Sequence, residues 1–159
     1  MRPTVYWAAP LFTQAERVWN RRCAENLRAR GYSVILPQDE AKRFMTPEGP
    51  NFEGIAEQCY RNSLECKVMI VVLDGPDSDS GASIEAGLKI GTRRALNTGG
   101  AVIGLRTDFR KSENRDLNAM FQLLDDIVRF PSIDEDVESL CEQVDKAITA
   151  KIQEISRDV

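Results

Sequence analysis

Asp74, Asp77, Asp79 and Glu85 fall within twelve residues of one another. A carboxylate cluster of this density has three uses. It can cap the amides of a helix and complement its dipole, a role that Asp79 and Ser80 suit by position. It can gather oxygen ligands for magnesium or calcium, although the spacing is not that of an EF-hand loop. Or one member can act as a nucleophile or a base. Glu85 fits the capping role least. It lies about one turn inside the helix that follows, flanked by Ile84 and Ala86, with Gly87 two residues on. From there its side chain can point back toward the strand ends, where small neighbours let a ligand approach. No metal site is expected.

The chain of 159 residues contains no histidine. This excludes Ser-His-Asp and Cys-His catalysis and every metal site that needs imidazole. Proton transfer near neutral pH must then use carboxyl, tyrosine, lysine or thiol groups. The four cysteines, Cys23, Cys59, Cys66 and Cys141, form no CxxC pair and read as buried free thiols. With no signal peptide and no apolar run near 18 residues, a reduced cytoplasmic protein without a membrane segment is expected. The net charge is −4. Eight acidic and three basic residues lie in 131–159, so the remainder is nearly neutral. No basic footprint for nucleic acid results, and the arginines between Arg17 and Arg30 read as the solvated face of a helix.

The elements that must position these residues alternate. Strands are expected at Thr4 to Ala9, Tyr32 to Leu36, Val68 to Leu73, Ala101 to Leu105 and Ile127 to Phe130. Helices are expected at Ala15 to Arg30, Gly54 to Glu65, Ala82 to Leu96, Leu117 to Leu124 and about 134–156. Residues 38–53 and 106–116 read as loops. The run Val68 to Leu73 is apolar throughout, as in a central parallel strand covered on both faces. The order predicts one flavodoxin-like or Rossmann-like α/β domain over residues 1–159, with a five-stranded, mostly parallel sheet and helices on both faces. In such sheets ligands bind beyond the carboxyl ends of the strands. That places three segments at the site: Ala8 to Phe12, Pro37 to Glu40, and Asp74 to Glu85. Neither GxGxxG nor GxxxxGK[ST] occurs, so dinucleotide and P-loop readings lose their main support.

Several segments together resemble nucleoside 2-deoxyribosyltransferases. Tyr6-Trp7-Ala8-Ala9-Pro10-Leu11-Phe12 followed by Ala15-Glu16-Arg17 is similar to the family's opening, and Leu36-Pro37-Gln38-Asp39 to its second-strand exit. Leu73-Asp74-Gly75, then Asp79-Ser80-Gly81-Ala82-Ser83-Ile84-Glu85-Ala86-Gly87, resembles its central motif, and Asn118-Ala119-Met120 a later element. The resemblance implies an enzyme that needs no cofactor. It takes 2'-deoxynucleosides and free nucleobases, and exchanges one base for another through a covalent glutamyl-deoxyribosyl intermediate with retained configuration. By position, Glu85 is the nucleophile, Tyr6 orients it, and Asp79 binds the deoxyribose hydroxyls. Asn118 and Met120 would come from a neighbouring subunit, implying a homo-oligomer with shared sites. Phe12 and Trp7 are candidates for packing on the base, and Gln38, Asp39 and Glu40 for reading its edges. Cys59 stands where the family carries an aspartate that handles the base. This leaves Asp39, Glu57 or Glu40 as replacements for the proton transfer.

Two other readings share this fold. One is a 2'-deoxynucleoside 5'-monophosphate N-glycosidase, in which water resolves the intermediate and Ser80 and Ser83 serve the phosphate. The other is a noncatalytic nucleotide-binding domain.

Overall fold

The computed structural model of the protein describes residues 2–108, 117–132 and 136–157. Five strands form the main sheet: β1 (Thr4–Ala8), β2 (Ser33–Ile35), β5 (Val68–Val72), β6 (Ala101–Arg106) and β7 (Asp126–Arg129). Their order is β2-β1-β5-β6-β7 and every pairing is parallel. This is the doubly wound, flavodoxin-like order, with its switch point between β1 and β5.

Helices cover both faces: α1 (Gln14–Ala29), α3 (Phe52–Glu65), α4 (Ser80–Leu96) and α5 (Val137–Arg157). Side chains alternate across the sheet. Val5 and Trp7 join Val68, Ile70 and Ile103 under α1 and α5. Tyr6 and Ala8 join Met69, Val71 and Val102 under α4. The whole of β5 is buried, as expected of its unbroken apolar run.

The expected strands and long helices recur with ends that coincide or shift by at most three residues. Helix α1 begins at a reciprocal cap: the Thr13 hydroxyl accepts from the Glu16 amide at 3.2 Å, and the Glu16 carboxylate accepts from the Thr13 amide at 2.7 Å. It closes at Gly31, whose φ of +93° is open to glycine at no steric cost. The expected helix over 117–124 is a short 3-10 turn at Ala119–Leu123. The proposed start of the last helix at 134 lies outside the described residues, as does most of the 106–116 loop.

The 38–53 segment is not a plain loop. It holds α2 (Pro37–Glu40), a 3-10 turn at Ala41–Phe44, and a small antiparallel pair, β3 (Met45–Thr46) with β4 (Gly49–Pro50). Pro37 starts α2 because its fixed φ and missing N–H cost nothing in a first turn. The arginines of α1 are not only a solvated face. The Arg17 guanidinium donates to the Leu11 and Phe12 carbonyls at 2.9 and 2.8 Å, and Arg28 donates to the Val34 carbonyl at 2.7 Å. Three of the four thiols are buried; Cys59 is only half-buried.

Candidate active site

The outward path from the sheet starts at β1. Tyr6 is fully buried and faces α4, and its hydroxyl donates to Glu85 Oε1 at 2.8 Å. The two residues are 79 positions apart in sequence and meet at the switch point between β1 and β5. The sequence around Glu85 explains how it is held there. Ala82 and Ala86, both 3% exposed, pack α4 tightly against the sheet. Asp79 caps the helix by accepting from the Ala82 amide at 2.9 Å. Asp74 latches the preceding loop to the end of β6: its carboxylate accepts from the amides of Thr107 and Asp108 at 2.6 and 2.9 Å and from the Thr107 hydroxyl at 2.5 Å. The acidic cluster therefore divides its labour. Asp74 and Asp79 serve the backbone, and Glu85 meets a tyrosine.

Burial dominates the electrostatics. It pushes the Glu85 carboxyl up to about 7, against donation from Tyr6 and Cys59, which favours the charged form, and with help from the nearby Asp79 charge. Burial, then the Glu85 carboxylate, push the Tyr6 phenol far above its ordinary value, so it remains a donor throughout the working pH range. Cys59 is also raised, chiefly by burial, with Glu85 and Glu40 adding to the shift and Tyr6 opposing it. A glutamate that ionises near neutrality, beside a permanent donor, is suited to attack an electrophilic carbon.

The other expected site residues are placed as follows. Cys59, on α3, is half-buried, and the Glu85 charge adds to the burial that raises its thiol. Trp7 is fully buried on the opposite face of the sheet, where its indole N–H donates to Asn20 Oδ1 at 3.1 Å. Gln38 is buried too; its amide donates to the Arg17 carbonyl at 2.8 Å and accepts from Asn20 at 3.3 Å. Neither residue is brought to Glu85. Asp39 pairs with Lys42 at 2.7 Å and Arg21 at 3.7 Å, and Glu57 pairs with Arg61 at 2.8 Å. Glu40 pairs with Arg43 at 2.9 Å, and its charge adds slightly to the upward shift of the Cys59 thiol. Phe12 is 74% exposed on the loop leaving β1. Ser83 donates to the Asp79 carbonyl at 2.8 Å and shares a 2.7 Å contact with the Ser78 hydroxyl.

Asn118 and Met120 line a groove of about 1070 Å³ with Gly75, Ser78, Ser83 and Gly87. Ser83 and Gly87 lie two residues either side of Glu85, hence about 200° around the helix from it. The groove therefore runs along the far flank of α4, and Glu85 is not among its walls. Met120 is 66% exposed there. Among the described residues, no group of three or more Cys, Asp or Glu side chains is arranged to hold a metal ion, and no helix is long and apolar enough to cross a membrane.

Similar architectures are known. A conserved protein from Enterococcus faecalis has 24% identity and a TM-score of 0.66, over 92% of this chain and 99% of that one. A CMP N-glycosidase from Clostridium botulinum has 16% identity and a TM-score of 0.59, over 91% and 98%. A 2-deoxyribosyltransferase from Leishmania mexicana has 14% identity and a TM-score of 0.58, over 92% and 97%. At these identities the likeness concerns the fold. No curated protein matches the chain in sequence. The family model for nucleoside 2-deoxyribosyltransferase matches residues 5–120, a span that contains Tyr6, Cys59, Asp79, Glu85, Asn118 and Met120. The chain belongs to the nucleoside 2-deoxyribosyltransferase family.

Proposed function

We propose that the protein transfers 2-deoxyribose between nucleobases, with Glu85 as the nucleophile. The observation that carries this reading is the 2.8 Å donation from the buried Tyr6 hydroxyl to Glu85 at the switch point of the sheet. One Glu85 oxygen attacks the anomeric carbon of a 2'-deoxynucleoside, and the base departs with the bonding electrons and takes up a proton. A second base then displaces Glu85 from the opposite side, so two inversions give net retention. The 2'-deoxy sugar lacks an electron-withdrawing 2'-hydroxyl, which eases formation of an oxocarbenium-like transition state. Tyr6 keeps the free oxygen oriented and stabilises the carboxylate as it leaves. Asp79, at the start of the same helix, binds the deoxyribose hydroxyls through its oxygen that is not engaged by Ala82.

The position of Asn118 and Met120 supports a shared site. Within one chain they stand across α4 from Glu85, so they reach the sugar of a neighbouring subunit more readily than their own. The exposed apolar residues Ile84 and Leu88, 63% and 37% accessible and one turn apart on α4, give such a subunit something to cover.

Incubation with a 2'-deoxynucleoside and a different free base, followed by chromatography, tests the reading. A new deoxynucleoside that disappears in Glu85→Ala is expected. Release of base with no new nucleoside would make the protein a hydrolase and overturn transfer. Parallel reactions with the 5'-monophosphate show whether a phosphate is accepted.

A further inference from the structure

The loop that leaves β1 spans residues 9–13 and lies at the carboxyl edge of the sheet, where ligands of such folds bind. It carries Phe12, which is 74% exposed. The backbone of this loop is nevertheless tied, residue by residue, to the first two turns of α1. The Pro10 carbonyl accepts from the Asn20 amide nitrogen at 2.9 Å. The Leu11 and Phe12 carbonyls accept from the same guanidinium nitrogen of Arg17 at 2.9 and 2.8 Å. The Thr13 amide donates to the Glu16 carboxylate at 2.7 Å.

These ties are anchored in turn. Asn20 is 2% exposed. Its oxygen accepts from the Trp7 indole on β1 at 3.1 Å, and its nitrogen also donates to Gln38 on α2 at 3.3 Å. Gln38 then donates to the Arg17 carbonyl at 2.8 Å. One buried amide thus joins β1, its exit loop, α1 and α2. Carbonyls on a surface loop can be satisfied by water. Their capture by Arg17 and Asn20 removes the freedom of the loop before any ligand arrives.

We propose that Arg17, with Asn20 as its anchor, is a positioning residue for nucleobase binding: it holds the β1 exit loop so that the exposed Phe12 ring stacks on the base. An aromatic side chain on a fixed loop loses little entropy when a planar ligand lands on it. The same ring on a loose loop must be ordered at that moment. This role rests on the proposed function in one respect, that a nucleobase is bound, and not on transfer.

The loop and the base are read separately. Asn20 is buried, and replacing it endangers the fold, whereas Arg17 is only partly buried and carries the test. In Arg17→Met, hydrogen exchange of the peptide covering residues 9–13 is expected to quicken about 10-fold, with the sheet unchanged. Unaltered exchange there overturns the clamp.

Titration calorimetry with adenine and with thymine reads the second step. Arg17→Met is expected to weaken the tighter of the two bases about 3- to 10-fold, and Phe12→Ala about 10-fold. Adding Arg17→Met to Phe12→Ala should cost nothing more, because Arg17 acts through the ring. A purely structural arginine would not lose its effect when the ring is removed. Additive losses, or an affinity unchanged in Arg17→Met, overturn the positioning role. In turnover, the loss is expected in KM for the acceptor base; a fall in kcat with KM unchanged also overturns it. Binding of neither base by the wild type overturns the inference outright. Base binding without turnover of any deoxynucleoside overturns the activity proposed above and leaves the role of Arg17 to be decided by the calorimetry.

Discussion

At the scale of single residues, the site is a conflict between burial and charge. Glu85 ionises at about 7 because burial outweighs its donors, and this has opposite consequences for activity and stability. A nucleophile must be ionised, so kcat is expected to fall as pH drops through about 7. Stability runs the other way. A carboxyl whose folded pKa is raised favours the fold while protonated, below its unfolded value, and that contribution is lost as pH rises toward the folded value. Glu85→Gln should therefore melt with the wild type at pH 4, and be the more stable protein above pH 7 by about 2–3 kcal/mol. Thermal denaturation across that range measures it, and equal melting points at pH 8 would contradict it. Tyr6→Phe removes a hydrogen bond to a charged group and is expected to lower kcat about 10- to 100-fold, read from steady-state kinetics. The residue scale also shows what the sequence made legible. Glu85 stood out because it was a poor cap among good ones. Trp7 reads, with Phe12, as a base-packing residue, but consecutive strand residues face opposite sides, and Trp7 lies on the face of the sheet opposite Tyr6. Gln38 gave no such signal, since its burial depends on Asn20 and Arg17 from another element.

At the scale of elements, one short helix start does two jobs. Asp79 caps α4 and, under the proposed function, binds the sugar. The two jobs are separable because serine caps about as well as aspartate. Asp79→Ser should keep the melting temperature nearly unchanged while raising KM; a variant that loses stability and keeps KM would show that Asp79 serves the helix alone. The long elements were legible from period alone: a continuously apolar β5 and the 3–4 spacing of α1 need no tertiary information. The 38–53 segment was not. Its helix spans four residues and its strands two each, too short for either period to show, and they are held by neighbours such as Phe44, whose carbonyl accepts from the Asn51 amide at 2.8 Å.

At the scale of the whole molecule, Asn118 and Met120 lie on the opposite flank of α4 from Glu85, and under the proposed function the site is then shared between subunits. Glu85→Ala and Asn118→Ala should each be nearly inactive alone. Mixed after dissociation and reassociation, they should recover up to about a quarter of wild-type activity, because mixed dimers each regain one intact site. No recovery, with mixing verified by mass spectrometry, would place the whole site within one chain. The parallel sheet has one more consequence, and it concerns time. No strand of the main sheet pairs through a tight turn with the next; β1 waits for β5, more than 60 residues later. Strand pairing across that much chain is slow compared with helix formation. During synthesis Tyr6 emerges long before Glu85, so the pair at the heart of the site is among the later contacts to form, and the edge of β1 that faces β5 must remain unpaired in the nascent chain until the centre of the sheet arrives, although its other edge can already pair with β2.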